Sequence, residues 1–237
     1  MSKPTPTPLP VRFYDRHPID VARDLLGCEV WVRPNGDPPR RGRIVETEAY
    51  GGFEDRACHG HRGETPRIRS LFGPPGRALV YITYGIHHML NAVTSGRGEP
   101  YCVLIRALEP VANINADTRG PGLLTKALGV DLRHDGADLR NGGVRILPGT
   151  LAAEEEVAIT ARVGVEGAGP EWAAEPWRFL IAGNPHVSRG RPSTAERARA
   201  VLADRAARKR EQGRARQQGR ARQQGRARQQ GRASDPG

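Results

Sequence analysis

The alternation of apolar and polar positions divides the chain into short strands and a few helices. Residues 43–52 read Arg-Ile-Val-Glu-Thr-Glu-Ala-Tyr-Gly-Gly, whose β-branched and aromatic content predicts a strand, with the glycine pair as its stop. Side chains alternate along a strand, so Ile44, Glu46, Glu48 and Tyr50 are expected on one face and Val45, Thr47 and Ala49 on the other. Residues 28–33 alternate likewise, and the Pro- and Gly-containing turn at 34–39 makes the two strands a hairpin. Before them, Val21, Leu25 and Leu26 at helical spacing predict a helix over 20–26 that stops at Gly27. Residues 77–84, 86–94 and 101–108 read as three strands whose natural arrangement is an antiparallel meander. Pro121 and Gly129 bracket a helix over 121–128. Two more strands are expected at 156–165 and 177–182, with 131–143 as charged connecting loop. The capping box Ser-Thr-Ala-Glu at 193–196 opens an Ala/Arg-rich helix that reaches about residue 210. The expected fold class is α+β: a mixed α/β single domain with a central, mostly antiparallel β-sheet, flanking helices and a protruding hairpin.

Three stretches depart from this pattern. Residues 51–77 hold five arginines among glycines and prolines with little periodicity, and a loop of that length in a compact domain usually carries function. Residues 1–10 have proline at every second position from Pro4 to Pro10 and read as a disordered, extended lead-in. Near the other end, Gly-Arg-Ala-Arg-Gln-Gln recurs at 213, 219 and 225. A six-residue period with a glycine in each unit neither sustains a helix nor builds a core, so 205–237 read as a basic, low-complexity, disordered tail. That leaves 11–204 as one domain.

Charge changes the picture mainly at that tail. The chain of 237 residues has a formal net charge of +11. Residues 205–237 contribute eleven Lys or Arg against Glu211 and Asp235, or +9, leaving 26 basic and 24 acidic residues, or +2, in 1–204. An argument for nucleic acid from charge alone therefore rests on the tail. No apolar run approaches the roughly 18 residues of a membrane span and the N-terminus lacks a signal-peptide core, so a cytoplasmic protein without membrane association is expected. Cys28, Cys58 and Cys102 lack Cys-x-x-Cys spacing, which indicates free thiols rather than a disulfide framework or ribbon-type zinc site.

The candidate chemistry centres on Glu48. A carboxylate beside an aromatic wall at a strand end suits a general base, but on this stretch alone a solvated edge-strand face is the commoner reading, since perturbed carboxylates also occur in structural networks. Cys58, His59 and His61 could suggest a metal, but adjacent side chains splay apart and no second ligand pair is present, so no metal is expected. Tyr81 and Tyr84 fall on opposite faces of a regular strand, so one can line a pocket while the other points out. Asn91 and Arg106 are polar residues within apolar strands, where they need partners.

Taken in order, Arg-Ile-Val-Glu-Thr-Glu-Ala-Tyr (43–50), Glu-Asp-x-Ala-x-His (54–59), Thr-Pro-Arg-x-Arg (65–69), Pro-Gly-x-x-x-Val-Tyr-Ile-x-Tyr-Gly (75–85), Asn91, Val-Leu-x-Arg-Ala-Leu-Glu-Pro (103–110) and Ala-Arg-Val-Gly-Val (161–165) resemble the monofunctional alkyladenine, or 3-methyladenine and methylpurine, DNA glycosylases. The resemblance implies a monomeric, cofactor-free hydrolase acting on double-stranded DNA that contains damaged purines, located at the nucleoid if the source is bacterial. Glu48 then resembles the general base for the attacking water, with Arg106 and the Val163 carbonyl holding that water. Tyr50, His59 and Tyr81 resemble the walls of a pocket for an extruded base, Asn91 the group that screens the purine edge, and Tyr84 the wedge that fills the gap in the duplex. The resemblance gives Glu46 no part. His87 and His88 stand where the family commonly has larger aromatic or apolar residues. A non-catalytic nucleic-acid-binding protein on the same scaffold is the alternative; it has no need of a carboxylate aimed at DNA, where it repels phosphate.

Overall fold

A computed structural model describes residues 7–34 and 36–190. Two short helices, α1 (Val11–Tyr14) and α2 (Pro18–Asp24), open the fold. Proline sits at the first position of α2, where a missing N–H costs nothing. The chain then leaves α2 through Gly27, at φ 86°. A Cβ there would stand 2.6 Å from the Thr150 carbonyl carbon, so both the turn and the close approach require glycine.

The strands are β1 (Glu29–Val32), β2 (Arg40–Gly51), β3 (Ala78–Thr83), β4 (His87–Thr94), β5 (Tyr101–Ala112), β6 (Val144–Leu147), β7 (Val157–Thr160) and β8 (Arg178–Ile181). They form one antiparallel sheet whose main path runs β3-β4-β5-β2-β1-β6. β2 is its centre. One edge of β2 pairs with β5 along its length; the other is divided, with residues 40–43 against β1 and residues 46–48 against β8, which also pairs with β7. The expected hairpin and meander are both present. Helix α3 (Pro121–Leu128) lies as expected and ends at Gly129 in the left-handed conformation.

The sheet divides two apolar clusters. Helix residues Val21, Leu25, Leu124 and Leu128 pack with Ala78, Val80, Leu90, Ala92, Val103 and Ile105 in the main core. The alternate residues Leu79, Tyr81, Met89, Val93, Cys102 and Leu104 meet Cys58, Ile68 and Leu71 on the other face. Residues 51–77 thus form a cover over that face rather than a free loop. They contain two 3₁₀ segments, His59–Arg62 and Pro66–Phe72.

Strand alternation is interrupted on β2. The pairing of Ile44 with Leu108 steps to Glu46 with Ala107 and then to Thr47 with Ile105, so Val45 on β2 and Arg106 on β5 are extra residues in facing bulges. Ile44 therefore joins Val45, Ala49 and the rest of the main core instead of sharing a face with Glu46, Glu48 and Tyr50.

Further expectations need correction. The strand expected at 156–165 ends at Thr160, because the next residues leave the sheet for buried polar partners. Strand β6, helix α4 (Pro170–Ala173) and the 3₁₀ segment Leu132–His134 lay unrecognised in charged or Gly-rich sequence. The disordered lead-in is described from residue 7, and Leu9 is buried against the core with its amide bonded to the Ile146 carbonyl. The helix expected from 193 and the tail lie outside the described residues. Among the described residues no helix is long and apolar enough to cross a membrane.

Candidate active site

Because Thr47 donates to the Ala22 carbonyl of α2 at 2.8 Å, its neighbours Glu46 and Glu48 face the opposite side of the sheet. Both are fully buried. Glu48 accepts three hydrogen bonds: Oε1 from the Val163 amide at 2.7 Å, and Oε2 from the Tyr50 hydroxyl at 2.8 Å and from Arg106 Nη1 at 3.2 Å. The Val163 amide contact to Glu48 is separate from the carbonyl that the resemblance assigns to the attacking water.

Glu46 accepts from Arg106 Nε at 2.9 Å, Arg178 Nε at 2.6 Å, the Ser188 hydroxyl at 2.9 Å and the Ser188 amide at 2.6 Å. Two carboxylates and two guanidiniums form a set of zero net charge, which is how buried ions escape the cost of leaving water uncompensated. Burial pushes the Glu46 pKa up, but the charges of Arg106 and Arg178 and the Ser188 amide outweigh it and hold the group below the ordinary glutamate value. Burial works against the Arg106 charge, yet Glu48 and Glu46 raise its pKa overall. Tyr50 is held protonated by burial and by the charge of Glu48, so its hydroxyl is a donor to the carboxylate.

A second buried pair shapes the wall. Arg162 makes a bidentate bridge to Asp55 at 2.6 and 2.9 Å and donates to the Ala49 carbonyl at 3.0 Å. Its guanidinium lies 4.8 Å from the Tyr50 ring centre and 4.9 Å from that of Trp177, a cation–π arrangement that fixes the Tyr50 ring. Asp55 also accepts from the Gly51 and Ala57 amides, each at 3.0 Å. One carboxylate thereby fastens the start of the 51–77 segment to the end of β2.

Tyr50, His59, Tyr81, Arg106 and Val163 line one open cavity of about 710 Å³, with Arg56, Arg62 and Tyr84 at its border. The His59 and Tyr81 rings stand 4.6 Å apart at 47°. Burial, then Arg67 and His61, lower the His59 pKa, which favours the neutral ring. Glu48 does not reach the cavity surface; it lies directly behind Tyr50, Arg106 and Val163. Asn91 is buried elsewhere, in a void of about 10 Å³ behind Tyr50, His59 and Tyr81. Its amide donates to the Leu79 and Met89 carbonyls, and its Oδ1 faces the Cys102 thiol at 3.9 Å.

Tyr84 is placed by a turn, not by strand parity. β3 ends at Thr83, and Tyr84 and Gly85 follow at φ 50° and 72°, with the Ile86 amide donating to the Thr83 carbonyl at 3.2 Å. Left-handed geometry at a tyrosine is uncommon. It leaves Tyr84 87% exposed and Ile86 72% exposed on the tip of the β3–β4 hairpin.

The sequence reading overlooked Asp55, Arg162, Arg178 and Ser188 as parts of this site. Asp55 and Arg162 lay inside the quoted motifs, and Arg178 interrupts an apolar strand in the same manner as Arg106. Ser188 carried no signal. Among the described residues, no group of three or more His, Cys, Asp or Glu side chains is placed to hold a metal ion.

Residues 12–185 match the family model described as methylpurine-DNA glycosylase. The chain belongs to the methylpurine-DNA glycosylase family. A relative from Myxococcus xanthus is 47% identical over 186 residues, covering 78% of this chain and 95% of its own. One from Anaeromyxobacter dehalogenans is 49% identical over 185 residues, 78% of this chain and 88% of its own. A third, from Legionella pneumophila, is 43% identical over 181 residues, 76% of this chain and 98% of its own. All three bear names that propose them as 3-methyladenine DNA glycosylases. Membership makes this methylpurine-DNA glycosylase homologue a DNA repair hydrolase with DNA as its substrate. The matched residues contain the cavity and both buried ion sets apart from Ser188.

Proposed function

We propose that this glycosylase extrudes alkylated or deaminated purines, such as 3-methyladenine, from duplex DNA and hydrolyses the N-glycosidic bond with a water activated by Glu48, leaving an abasic site. The observation that carries the reading is the placement of a buried carboxylate directly behind an aromatic cavity, joined to it by Tyr50, Arg106 and the Val163 amide. A carboxylate offers about four lone-pair positions. Three are engaged here, which leaves one for a water entering beside Arg106.

An enzyme acting on a base must first take it out of the stack, at a cost of a few kcal/mol. Tyr84, on the hairpin tip, has the size and exposure to fill the vacated space. Tyr50, His59 and Tyr81 would receive the base. Aromatic faces favour a cationic ring, which gives alkylated purines an advantage over neutral adenine, and such bases also leave more readily. The bond then breaks through an oxocarbenium-like state; Glu48 stabilises the positive sugar and takes the proton of the attacking water as C1′ is captured. The purine departs with the glycosidic electron pair. Arg106 orients the water and Glu48. Asn91 would sense the purine edge only from behind the pocket floor.

The enzyme works without a cofactor, as a monomer, and stops at the abasic site. Duplexes with a single 3-methyladenine analogue or hypoxanthine, incubated with the protein and then treated with hot alkali, are expected to yield one strand break at the lesion. Intact strands would refute excision and favour a binding protein.

A further inference from the structure

We propose that Glu46 is a positioning residue for base excision: it engages one edge of Arg106 and so limits how much of that guanidinium's charge Glu48 receives. The inference rests on the excision reading above and assigns a part to a carboxylate that the chemistry does not itself use.

The geometry lies in how Arg106 distributes its donors. Nε goes to Glu46 at 2.9 Å, Nη1 to Glu48 at 3.2 Å, and Nη2 stands 3.5 Å from the Ser188 hydroxyl. A guanidinium free to choose would grip a carboxylate with two parallel N–H groups. Here Glu46 occupies the Nε edge, so Glu48 receives a single and longer bond. Glu46 is itself fixed on both oxygens, by Arg178 Nε at 2.6 Å, by the Ser188 hydroxyl at 2.9 Å and by the Ser188 amide at 2.6 Å. The facing bulges at Val45 and Arg106 create this alignment, because they let Arg106 lie between two carboxylates two residues apart on β2. A carboxylate locked in a bidentate ion pair is a weak base, and one sharing its cation keeps more affinity for a proton.

Several charged or titratable groups surround Glu48. Glu46 and Tyr50 come from its own strand, Arg106 from β5, Tyr81 from β3, Arg178 from β8 and Arg162 from the segment after β7. Of these, Glu46 is the anion that competes for Arg106. Its removal turns the whole Arg106 charge toward Glu48.

The test is single-turnover release of hypoxanthine, a neutral purine, from a duplex by the full chain across pH 4–8. Glu46→Gln is expected to move the acidic limb of the profile to lower pH by about one unit and to lower the plateau by about tenfold or more. Glu46→Asp retains the charge but withdraws it by one methylene, so it should move the limb by less in the same direction; it serves the test if Glu46→Gln does not fold. Limbs that coincide with wild type in the folded variants, or a lowered plateau with an unmoved limb, would overturn the proposal and leave Glu46 a packing residue. Wild-type release that disappears in Glu48→Gln keeps the excision reading intact whatever the Glu46 variants do. A wild type that releases nothing would fell both.

Discussion

Glu48 is the residue with the most direct test. Glu48→Gln keeps the shape and most of the hydrogen bonds of a buried site while removing the proposed base and one negative charge that opposes phosphate. Base release is expected to fall by at least about 100-fold, with affinity for lesion-containing duplex retained or improved. Single-turnover excision measured beside a binding titration checks both halves, and near wild-type excision would remove Glu48 from its role. Tyr84 is expected to act at a different step. Its side chain is exposed and packs little, so Tyr84→Ala should leave the melting temperature nearly unchanged. Excision of a paired lesion should fall by about tenfold or more, because the wedge offsets part of the unstacking cost. Mismatched lesions, already easier to extrude, should lose much less. Equal losses on the two substrates would mean that Tyr84 does not act as a wedge.

Elements hold these residues in place through buried ion pairs. Asp55 connects the entry of the 51–77 segment to β2 and, through Arg162, to the segment after β7 that presents the Val163 amide to Glu48. Asp55→Asn leaves a fully buried guanidinium without its counter-charge, a loss worth about 3 kcal/mol or more. For a domain of this size the melting temperature is expected to drop by about 6 °C or more. Excision should fall further than the folded fraction does, since Tyr50 and Val163 both lose their support. A melting temperature within a degree of wild type would show that the clamp is not needed. The pair was hard to read from sequence because Asp55 and Arg162 are 107 positions apart; only the folded chain brings them together.

For the molecule as a whole, chemistry and charge are divided between the domain and the tail. A strand-cutting glycosylase needs an amine nucleophile to form a Schiff base. The chain has only three lysines, Lys3, Lys126 and Lys209, and Lys126 lies in α3 and is absent from the lining of the candidate cavity. Borohydride treatment during turnover should therefore trap no protein–DNA adduct. An adduct that depends on any of these lysines would refute the water mechanism. The tail carries +9 of the net +11, and arginines meeting phosphate release counterions. Removing residues 205–237 should weaken binding to undamaged DNA and flatten its salt dependence, while single-turnover excision at saturating enzyme stays within about twofold. Identical salt titrations of the full and shortened chains would show that the tail takes no part in DNA binding.

Local pattern determined most of the elements: the β1–β2 hairpin, the β3–β4–β5 meander, and α3 between Pro121 and Gly129 follow from alternation, turn residues and helix punctuation. It also exposed Glu48 and Arg106 as polar groups within apolar strands, because such groups need partners wherever the chain folds. Pattern could not locate the facing bulges that move Ile44 into the main core and bring Arg106 between Glu46 and Glu48. A bulge is a feature of two strands in register, and neither strand's own sequence records its partner's offset. The same holds for Ser188, which became part of the site only when the chain returned to Glu46 across 142 positions. Its place, and the sharing of one guanidinium by two carboxylates, were decided by tertiary structure because a buried charge requires a counter-charge in space, at whatever separation along the sequence.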